Sequence, residues 1–196
     1  MSLTGLLGGA FDPPHNGHLV LAGEAIRHFA LERLVVVVTG DPPHKPVETD
    51  AETRFRLAEA AFAGRPLVEL SRREIDRATP SYTVDTARWA RETYGDAVFL
   101  VGADEFADFL SWKDPNGVLE YVRLGVAARP GYPREALDSV LAGLERPARV
   151  ELFDIPAVPI SSSGIRARTA RGEPIDELVP PDVAGLIAEL GLYGHR

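Results

Sequence analysis

Short runs of apolar residues alternate along the chain with stretches whose apolar residues follow a helical period. Unbroken short apolar runs are typical of strands that are buried on both faces of a sheet. Such runs predict strands at residues 3–7, 34–38, 97–101 and 124–128, and further strands are predicted at 67–70 and 150–153. The run at 34–38 is rich in β-branched residues, which suits a central parallel strand.

Helical periodicity fills the intervals between these runs. A helix that begins at His18 places on one face Leu19, Ala22, Ile26 and Phe29. Further helices are predicted at residues 51–62, 81–94, 162–170 and 182–190, with shorter helical pieces at 105–110 and 118–121. Ser81 or Thr83 is the expected N-cap of the helix at 81–94.

Strands that alternate with helices predict an α/β fold, a doubly wound and mostly parallel sheet with helices on both faces. No repeat and no long linker divides the sequence, so we expect residues 1–196 to form one domain. Open parallel sheets bind ligands outside the carboxyl ends of their strands, where the strand order reverses. The chemistry is therefore expected directly after the first strand and after Val101.

Composition excludes several classes of protein. Of the 196 residues, 45% are hydrophobic and 26% are charged, which argues against disorder. Cysteine is absent, which rules out disulfides, thiol catalysis and cysteine-bound metals. A net charge of −8 argues against partners such as nucleic acid or an anionic membrane. Because no run approaches the ~20 residues of a membrane-spanning helix and no signal peptide is visible, we expect a cytoplasmic protein.

The first candidate site lies between the first predicted strand and helix, and reads Gly8-Gly9-Ala10-Phe11-Asp12-Pro13-Pro14-His15-Asn16-Gly17-His18. Its two glycines allow backbone amides to approach a ligand closely. His15 and His18 stand three apart at a helix start, where imidazolium and N–H groups suit a phosphate chain. A metal-binding pair and a purely structural pair that caps the helix are the alternatives. The pattern matches neither a P-loop nor a dinucleotide fingerprint.

The second candidate site opens a late helix and reads Ile160-Ser161-Ser162-Ser163-Gly164-Ile165-Arg166. Ser162 and Arg166 share a helix face at i, i+4. A guanidinium forms a fork that binds phosphate oxygens and does not lose its charge. Taken alone, this segment is more simply a capped helix with a surface arginine.

Together the two segments resemble the nucleotidyltransferase superfamily that carries His-x-x-His and Ile-Ser-Ser-x-x-Ile-Arg signatures, and within it the bacterial nicotinate-nucleotide adenylyltransferase family. The similarity continues through Pro42-Pro43-His44-Lys45, Pro80-Ser81-Tyr82-Thr83, Gly102-Ala103-Asp104, Trp112, Arg129-Pro130-Gly131-Tyr132 and Leu178-Val179-Pro180. The resemblance implies a Rossmann-like fold and a step of NAD biosynthesis. In that step the 5′-phosphate of nicotinate mononucleotide attacks the α-phosphorus of ATP, and pyrophosphate leaves as nicotinate adenine dinucleotide forms.

The resemblance also implies roles for individual residues. His15, His18 and Arg166 would be catalytic, holding the triphosphate and stabilising the departing pyrophosphate, while Mg²⁺ would be held mainly by ATP phosphates and by no named protein residue. The residues implied in ATP binding are Gly9, Ala10, Phe11, His15, His18, Gly102, Asp104, Ser162, Ser163 and Arg166. Those implied in nicotinate mononucleotide binding are His44, Lys45, Tyr82, Thr83, Trp112 and Arg129.

Side-chain chemistry is compatible with two of the acceptor contacts that the resemblance implies. The Trp112 indole is a platform for a flat pyridine ring, with a packing role as the alternative. The N–H and hydroxyl of Thr83 at a helix start would favour a carboxylate over an amide. By contrast, we expect Asp12 to serve a turn or cap, and Trp89 and Tyr193 to serve packing.

Some positions depart from the family pattern. Ala10 stands where Thr or Ser is usual, Ser163 stands where Thr is common, and Val38-Thr39-Gly40 lacks a usual Pro and Asn, which affects contacts to the acceptor ribose. Three alternatives are a phosphopantetheine adenylyltransferase, a nicotinamide-preferring enzyme and a non-catalytic nucleotide sensor. The sequence makes no prediction of oligomeric state.

Overall fold

A computed structural model describes residues 3–42, 47–77, 80–129 and 131–194. Its strands form a six-stranded sheet in the order β3-β2-β1-β4-β5-β6, in which every pairing is parallel. The strands are β1 (Thr4–Gly9), β2 (Arg33–Val38), β3 (Val68–Ser71), β4 (Ala97–Gly102), β5 (Arg123–Ala128) and β6 (Val150–Asp154). The order reverses between β1 and β4, so a crevice opens at the carboxyl ends of these two strands.

Helices cover both faces of this sheet. In the described residues they are α1 (Asn16–His28), α2 (Ala51–Phe62), α3 (Thr83–Tyr94), α4 (Ala103–Ala107), α5 (Pro115–Tyr121), α6 (Arg134–Ala142), α7 (Ser162–Ala170) and α8 (Pro181–Glu189). Short 3₁₀ turns lie at Phe109–Ser111 and Pro147–Arg149. None of the helices in the described part of the chain has the length and apolar character needed to cross a membrane.

The core divides into two apolar layers because successive strand residues point to opposite faces of the sheet. Leu7 of β1 and Leu100 of β4 belong to the layer beneath α1, α2 and α8, which also holds Ile165 of α7. Leu6 and Phe99, their neighbours in sequence, belong to the layer beneath α3, α5 and α6. The four inner strands of this parallel sheet are buried on both sides, which explains their apolar runs, whereas the edge strands β3 and β6 carry the exposed residues Glu69 and Glu151.

The predicted α/β fold with a doubly wound parallel sheet is confirmed, and the helices at 51–62 and 162–170 have the predicted bounds. Two predictions of local structure are wrong. Helix α6 was not predicted, because Pro133 and a short amphipathic pattern mark its start without a capping residue. The N-cap of α3 is Tyr82 and makes no side-chain capping bond, because the Ser81 hydroxyl instead accepts from Gly40 N–H at 3.2 Å.

Candidate active site

The loop after β1 leads directly into α1 and carries the first sequence motif. His15 is the N-cap of α1, and its side chain is buried. Its ring stacks on that of His18, with the ring centroids 3.8 Å apart. The His15 backbone N–H donates to Nδ1 of His18 at 3.1 Å, so in the neutral His18 ring the proton lies on Nε2. The two imidazoles are thus held together at the carboxyl end of β1.

Burial determines the charge of His15. Desolvation lowers the pKa of its imidazole to about 4, so the ring is neutral at physiological pH in the free protein. The expectation of an imidazolium at His15 does not apply to the free protein, and its charge beside a bound phosphate stays a prediction. Its Nδ1 atom is buried and meets no hydrogen-bond partner among the described residues. A neutral ring can still donate one N–H to a phosphate oxygen.

Two side chains of α7 contact the loop after β1. The helix is capped by Ser161, whose Oγ accepts from Gly164 N–H at 3.1 Å. The Ser162 hydroxyl donates to the Pro13 carbonyl at 2.8 Å, and Nη1 of Arg166 donates to the Asp12 carbonyl at 2.9 Å. We call these four residues, Asp12, Pro13, Ser162 and Arg166, the β1–α7 junction. The structure therefore brings the guanidinium of the second motif to the loop that carries both histidines.

Arg166 also forms an ion pair at this junction. Its Nε atom lies 2.7 Å from Oε1 of Glu48, in the segment before α2. The Arg166 side chain is about one-fifth exposed, at 21% relative accessibility, whereas Glu48 is 58% exposed. The Glu48 carboxylate is therefore already bound to the guanidinium, and a phosphate that bound Arg166 would have to compete with it.

A buried carboxylate organises the same loop. Asp12 is 3% exposed. Its Oδ2 accepts from Glu48 N–H at 2.7 Å, and its Oδ1 accepts from the hydroxyls of Thr49 and Tyr193. The expected turn or cap role of Asp12 is wrong, because the bonds of its carboxylate join segments that are 36 or more positions away. Tyr193 is more than a packing residue, because it is a hydrogen-bond donor. Burial and the bond to Asp12 raise the pKa of the Tyr193 phenol, which keeps it protonated.

Arg54 of α2 was missed by the sequence analysis. Its guanidinium is 1% exposed and donates to the carbonyls of Ala10, Thr39, Gly40 and Thr49, at 2.6–3.1 Å. It therefore ties together the loops after β1 and β2 and the start of α2. The sequence signal was an arginine on the apolar stripe of a helix, which is visible only once the helix face is known.

The two glycines at the end of β1 make room for aromatic rings. A Cβ on Gly8 would lie 2.8 Å from Phe99, and one on Gly9 would lie 3.0 Å from Phe11. The Phe11 side chain is buried, with a positive φ of 54°, and its ring meets His18 edge-on at a centroid distance of 5.0 Å. The side of each glycine that would carry a Cβ therefore faces protein, and the contact of the backbone amides with a ligand stays a prediction.

A cleft of about 380 Å³ opens on the other side of the carboxyl ends, and we call it the Trp112 cleft. Its described lining residues are Thr39, Pro42, Ser81, Tyr82, Thr83, Asp104, Glu105, Asp108, Ser111, Trp112 and Lys113. Trp112 is partly buried and packs edge-on against Phe109, with the centroids 5.3 Å apart. Thr83 is the first residue of α3, so its backbone N–H lies at the positive end of that helix.

Asp104 and Arg129, assigned to different substrates in the sequence analysis, lie together in the structure. Nη2 of Arg129 is 2.6 Å from Oδ2 of Asp104, at the carboxyl ends of β5 and β4 respectively. Gly102, also assigned to ATP, is the N-cap of α4, and Ser163 is exposed on α7. His44 and Lys45 lie outside the described residues.

Comparisons with known proteins identify the chain's relatives. The cytidylyltransferase-like family model matches residues 6–168. A probable nicotinate-nucleotide adenylyltransferase of Moorella thermoacetica is 42% identical over 98% of this chain and 92% of its own length. Another of Thermus thermophilus is 41% identical over 96% and 98%. The chain belongs to the cytidylyltransferase-like family, among the nicotinate-nucleotide adenylyltransferases.

Solved structures of adenylyltransferases share the fold of this chain. Plasmodium falciparum nicotinic acid mononucleotide adenylyltransferase complexed with NaAD matches with a TM-score of 0.79 at 19% identity, over 98% of both chains. A putative nicotinate-nucleotide adenylyltransferase from Vibrio parahaemolyticus matches with a TM-score of 0.70 at 20% identity, over 100% of this chain and 98% of that one. These structures confirm the predicted Rossmann-like sheet, and the sequence relatives confirm the predicted family.

The side chains available as ligands determine whether the protein itself can hold a divalent cation. Among the residues that the structure describes, no three His, Asp or Glu side chains are grouped so as to hold a metal ion. Mg²⁺ prefers oxygen ligands, but at the β1–α7 junction the Asp12 carboxylate is buried and already accepts three hydrogen bonds, and the Glu48 carboxylate is paired with Arg166. The described residues therefore do not fit a protein-held Mg²⁺.

Proposed function

We propose that the chain transfers the adenylyl group of ATP to nicotinate mononucleotide through a phosphate-binding site built on the β1–α7 junction. The observation that carries this assignment is the contact of Arg166 with the Asp12 carbonyl, three residues before His15. That contact spans 154 positions of the chain and joins the two sequence motifs at one edge of the sheet. The family relationship supports the same reaction.

The chain's residues act by alignment and charge stabilisation. A 5′-phosphate oxygen of the acceptor forms a bond to the α-phosphorus of ATP, and the bond to the bridging β-phosphate oxygen breaks, with its electron pair leaving on pyrophosphate. No protein nucleophile is required. Arg166 would donate two N–H groups to the departing phosphates once Glu48 is displaced, and His18 would donate Nε2–H. The transferred adenylyl group ends on the acceptor phosphate as a new anhydride.

His15 contributes a neutral donor to the same site. Its buried Nδ1 lacks a partner among the described residues, and an unpaired buried polar atom is costly. Because Nδ1 is enclosed by protein, the other ring nitrogen, Nε2, would be the atom that donates to a phosphate oxygen. The backbone of Gly9, Ala10 and Phe11 and the side chains of Ser162 and Ser163 would complete the ATP contacts.

A divalent cation is common in nucleotidyltransferases of this family, and we propose that here it is Mg²⁺. Because the described residues do not fit a protein-held ion, the cation would enter on the phosphate oxygens of ATP as part of the substrate. The protein's own donors would then contact the phosphate oxygens that remain.

The acceptor would occupy the Trp112 cleft. Its pyridine ring would stack on Trp112, and its carboxylate would accept from the Thr83 N–H at the start of α3. Tyr82 would line the same pocket, Asp104 would contact a ribose hydroxyl of ATP, and Arg129 would face the mononucleotide. The binding of the acceptor by His44 and Lys45 stays a prediction. The single domain and the cytoplasmic location also stay predictions.

Pyrophosphate release measures this activity directly. Wild-type protein with MgATP is expected to turn over nicotinate mononucleotide faster than nicotinamide mononucleotide, and phosphopantetheine not at all. Preference for either of the last two would overturn the acceptor assignment. Binding of ATP without pyrophosphate release from any acceptor would favour a nucleotide sensor.

The proposed catalytic residues are tested by one variant on α1 and one on α7, each compared with a control variant on the same helix. On α1, His18→Ala is expected to lower kcat about 10²–10³-fold, because a donor to the leaving group is lost. His28→Ala on the same helix is the matched control, since His28 contacts Glu151 and lies away from the junction. On α7, Arg166→Lys is expected to lower kcat at least about tenfold, because an ammonium does not reproduce the fork. Arg168→Lys on the same helix is the control for Arg166→Lys, since Arg168 contacts the Pro174 carbonyl.

A further inference from the structure

Glu48 and Arg166 are held against each other by a single residue, Asp12. The Oδ2 atom of Asp12 accepts from the Glu48 backbone N–H at 2.7 Å, and the Asp12 backbone carbonyl accepts from Nη1 of Arg166 at 2.9 Å. Asp12 is buried, and the hydroxyls of Thr49 and Tyr193 also donate to its carboxylate. The ion pair between Glu48 and Arg166 therefore joins a backbone and a guanidinium that are fixed on a common anchor.

The Glu48 carboxylate occupies one of the edges through which a guanidinium binds an oxyanion. An arginine binds a phosphate most strongly with two parallel N–H groups, and Nε and Nη2 form one such pair. The Oε1 atom of Glu48 lies 2.7 Å from Nε of Arg166. A phosphate that bound Nε and Nη2 together would therefore require the Glu48 carboxylate to leave.

The two contacts of Arg166 differ in how easily they are broken. The Asp12 carbonyl belongs to a buried residue, whereas the Glu48 side chain is more than half exposed. A carboxylate at that position regains water when it leaves the guanidinium, and a partly exposed ion pair is weak. Rotation about the side-chain bonds of Glu48 is enough for this exchange, while its backbone N–H stays on Asp12.

We propose that Glu48 is an internal competitor of pyrophosphate for Arg166, and that this competition weakens product binding and limits product inhibition. The inference rests on the proposed function and adds to it a residue that opposes binding at the phosphate site. In each cycle the phosphates of ATP displace the carboxylate, and the carboxylate returns to Nε as pyrophosphate leaves. Only hydrogen bonds and ion pairs are exchanged in these steps, and no covalent bond changes.

Initial rates of dinucleotide formation by Glu48→Gln, measured at increasing pyrophosphate, test the proposal. The neutral amide is a weaker partner for Arg166, so the inhibition constant of magnesium pyrophosphate is expected to fall about fivefold, the effect of removing a partly exposed ion pair. KM for ATP is expected to fall by a similar factor, because ATP places its phosphates on the same guanidinium. KM for nicotinate mononucleotide is expected to stay within about twofold, because the acceptor occupies the Trp112 cleft.

Two further variants separate direct competition from general charge repulsion. Glu48→Asp keeps the charge but shortens the side chain, so from a backbone held on Asp12 the carboxylate no longer reaches Nε. Its inhibition constant for pyrophosphate is expected to fall at least about twofold. Glu52→Gln is the matched control, because it removes the same charge from an exposed pair with Arg72 at the start of α2. It is expected to leave the inhibition constant at the wild-type value.

Calorimetric titration of magnesium pyrophosphate into the free protein measures the same competition without turnover. Glu48→Gln is expected to lower the Kd about fivefold when Arg166 is present. In an Arg166→Gln background the ion pair is already broken, so Glu48→Gln is expected to leave the Kd nearly unchanged.

Four results would overturn the proposal. An unchanged inhibition constant in Glu48→Gln, or an equal fall in Glu52→Gln, would show that Glu48 does not compete for Arg166. A wild-type constant in Glu48→Asp, or an equal fall in Kd in the Arg166→Gln background, would assign the effect to charge repulsion. In all four cases normal wild-type turnover would leave the proposed function standing. A wild-type protein that adenylates no acceptor would overturn the proposed function, and this inference with it.

Discussion

The phenol of Tyr193 donates a hydrogen bond of 2.7 Å to the carboxylate of Asp12, which lies 181 positions earlier in the chain. The backbone carbonyl of Asp12 accepts from Arg166. The last described turn of the chain is therefore coupled through one buried aspartate to the guanidinium of the proposed phosphate site. Tyr193 has a positioning role as well as an apolar surface.

Removing the Tyr193 hydroxyl tests this coupling. Tyr193→Phe is expected to lower the free energy of unfolding by about 1–2 kcal/mol, because a buried carboxylate loses one of its donors. Denaturant unfolding of Tyr193→Phe, Asp12→Asn and the double variant forms a thermodynamic cycle. A coupling energy of about 1 kcal/mol is expected. Additive single effects would show that the contact contributes nothing.

Arg54 is expected to be among the most sensitive positions in the chain. Arg54→Met would leave four buried or half-buried carbonyls without their donor and is expected to cost about 3–5 kcal/mol in the free energy of unfolding. Arg56→Met is the matched control, since Arg56 lies on the exposed face of α2. Equal losses for the two variants in urea unfolding would contradict the role given to Arg54.

The buried His15 predicts a dependence of stability on pH. Its pKa is about 4 in the folded protein and 6.5 in the unfolded chain, so the unfolded state binds more protons between these values. Stability is therefore expected to fall as pH decreases from 6.5 towards 4, by up to about 3 kcal/mol from this group. The loss on acidification is expected to be smaller in His15→Gln. Parallel pH profiles for the two proteins would contradict this prediction.

Trp112 is expected to affect one substrate only. Trp112→Ala should raise KM for the mononucleotide about tenfold or more and leave KM for ATP within about twofold, because a stacked ring contributes roughly 1–3 kcal/mol. Initial rates with each substrate varied in turn measure the two constants. Trp89→Phe is the control, since Trp89 packs on Tyr94 away from the cleft. Equal changes in both constants would make Trp112 a packing residue.

The sequence predicted the sheet well because the inner strands β1, β2, β4 and β5 are buried on both sides and are therefore mostly apolar. It failed at α6, where only Leu137 and Val140 are buried, and at the α3 N-cap, where Ser81 bonds to the loop after β2. Gly40 explains why that loop approaches so closely, since a Cβ there would lie 2.2 Å from the Glu74 carbonyl oxygen. Such contacts depend on chain segments far apart in sequence.

The amino-acid sequence by itself was sufficient to identify the strands and helices, the two motifs at helix starts and the family. It did not determine that His15 is neutral, that Arg54 faces inward to four carbonyls or that Glu48 is seated on Arg166. Charge state, hydrogen-bond partners and ion pairs depend on burial and distance. Those quantities exist only after folding has brought the carboxyl ends of β1 and β2 against α2 and α7.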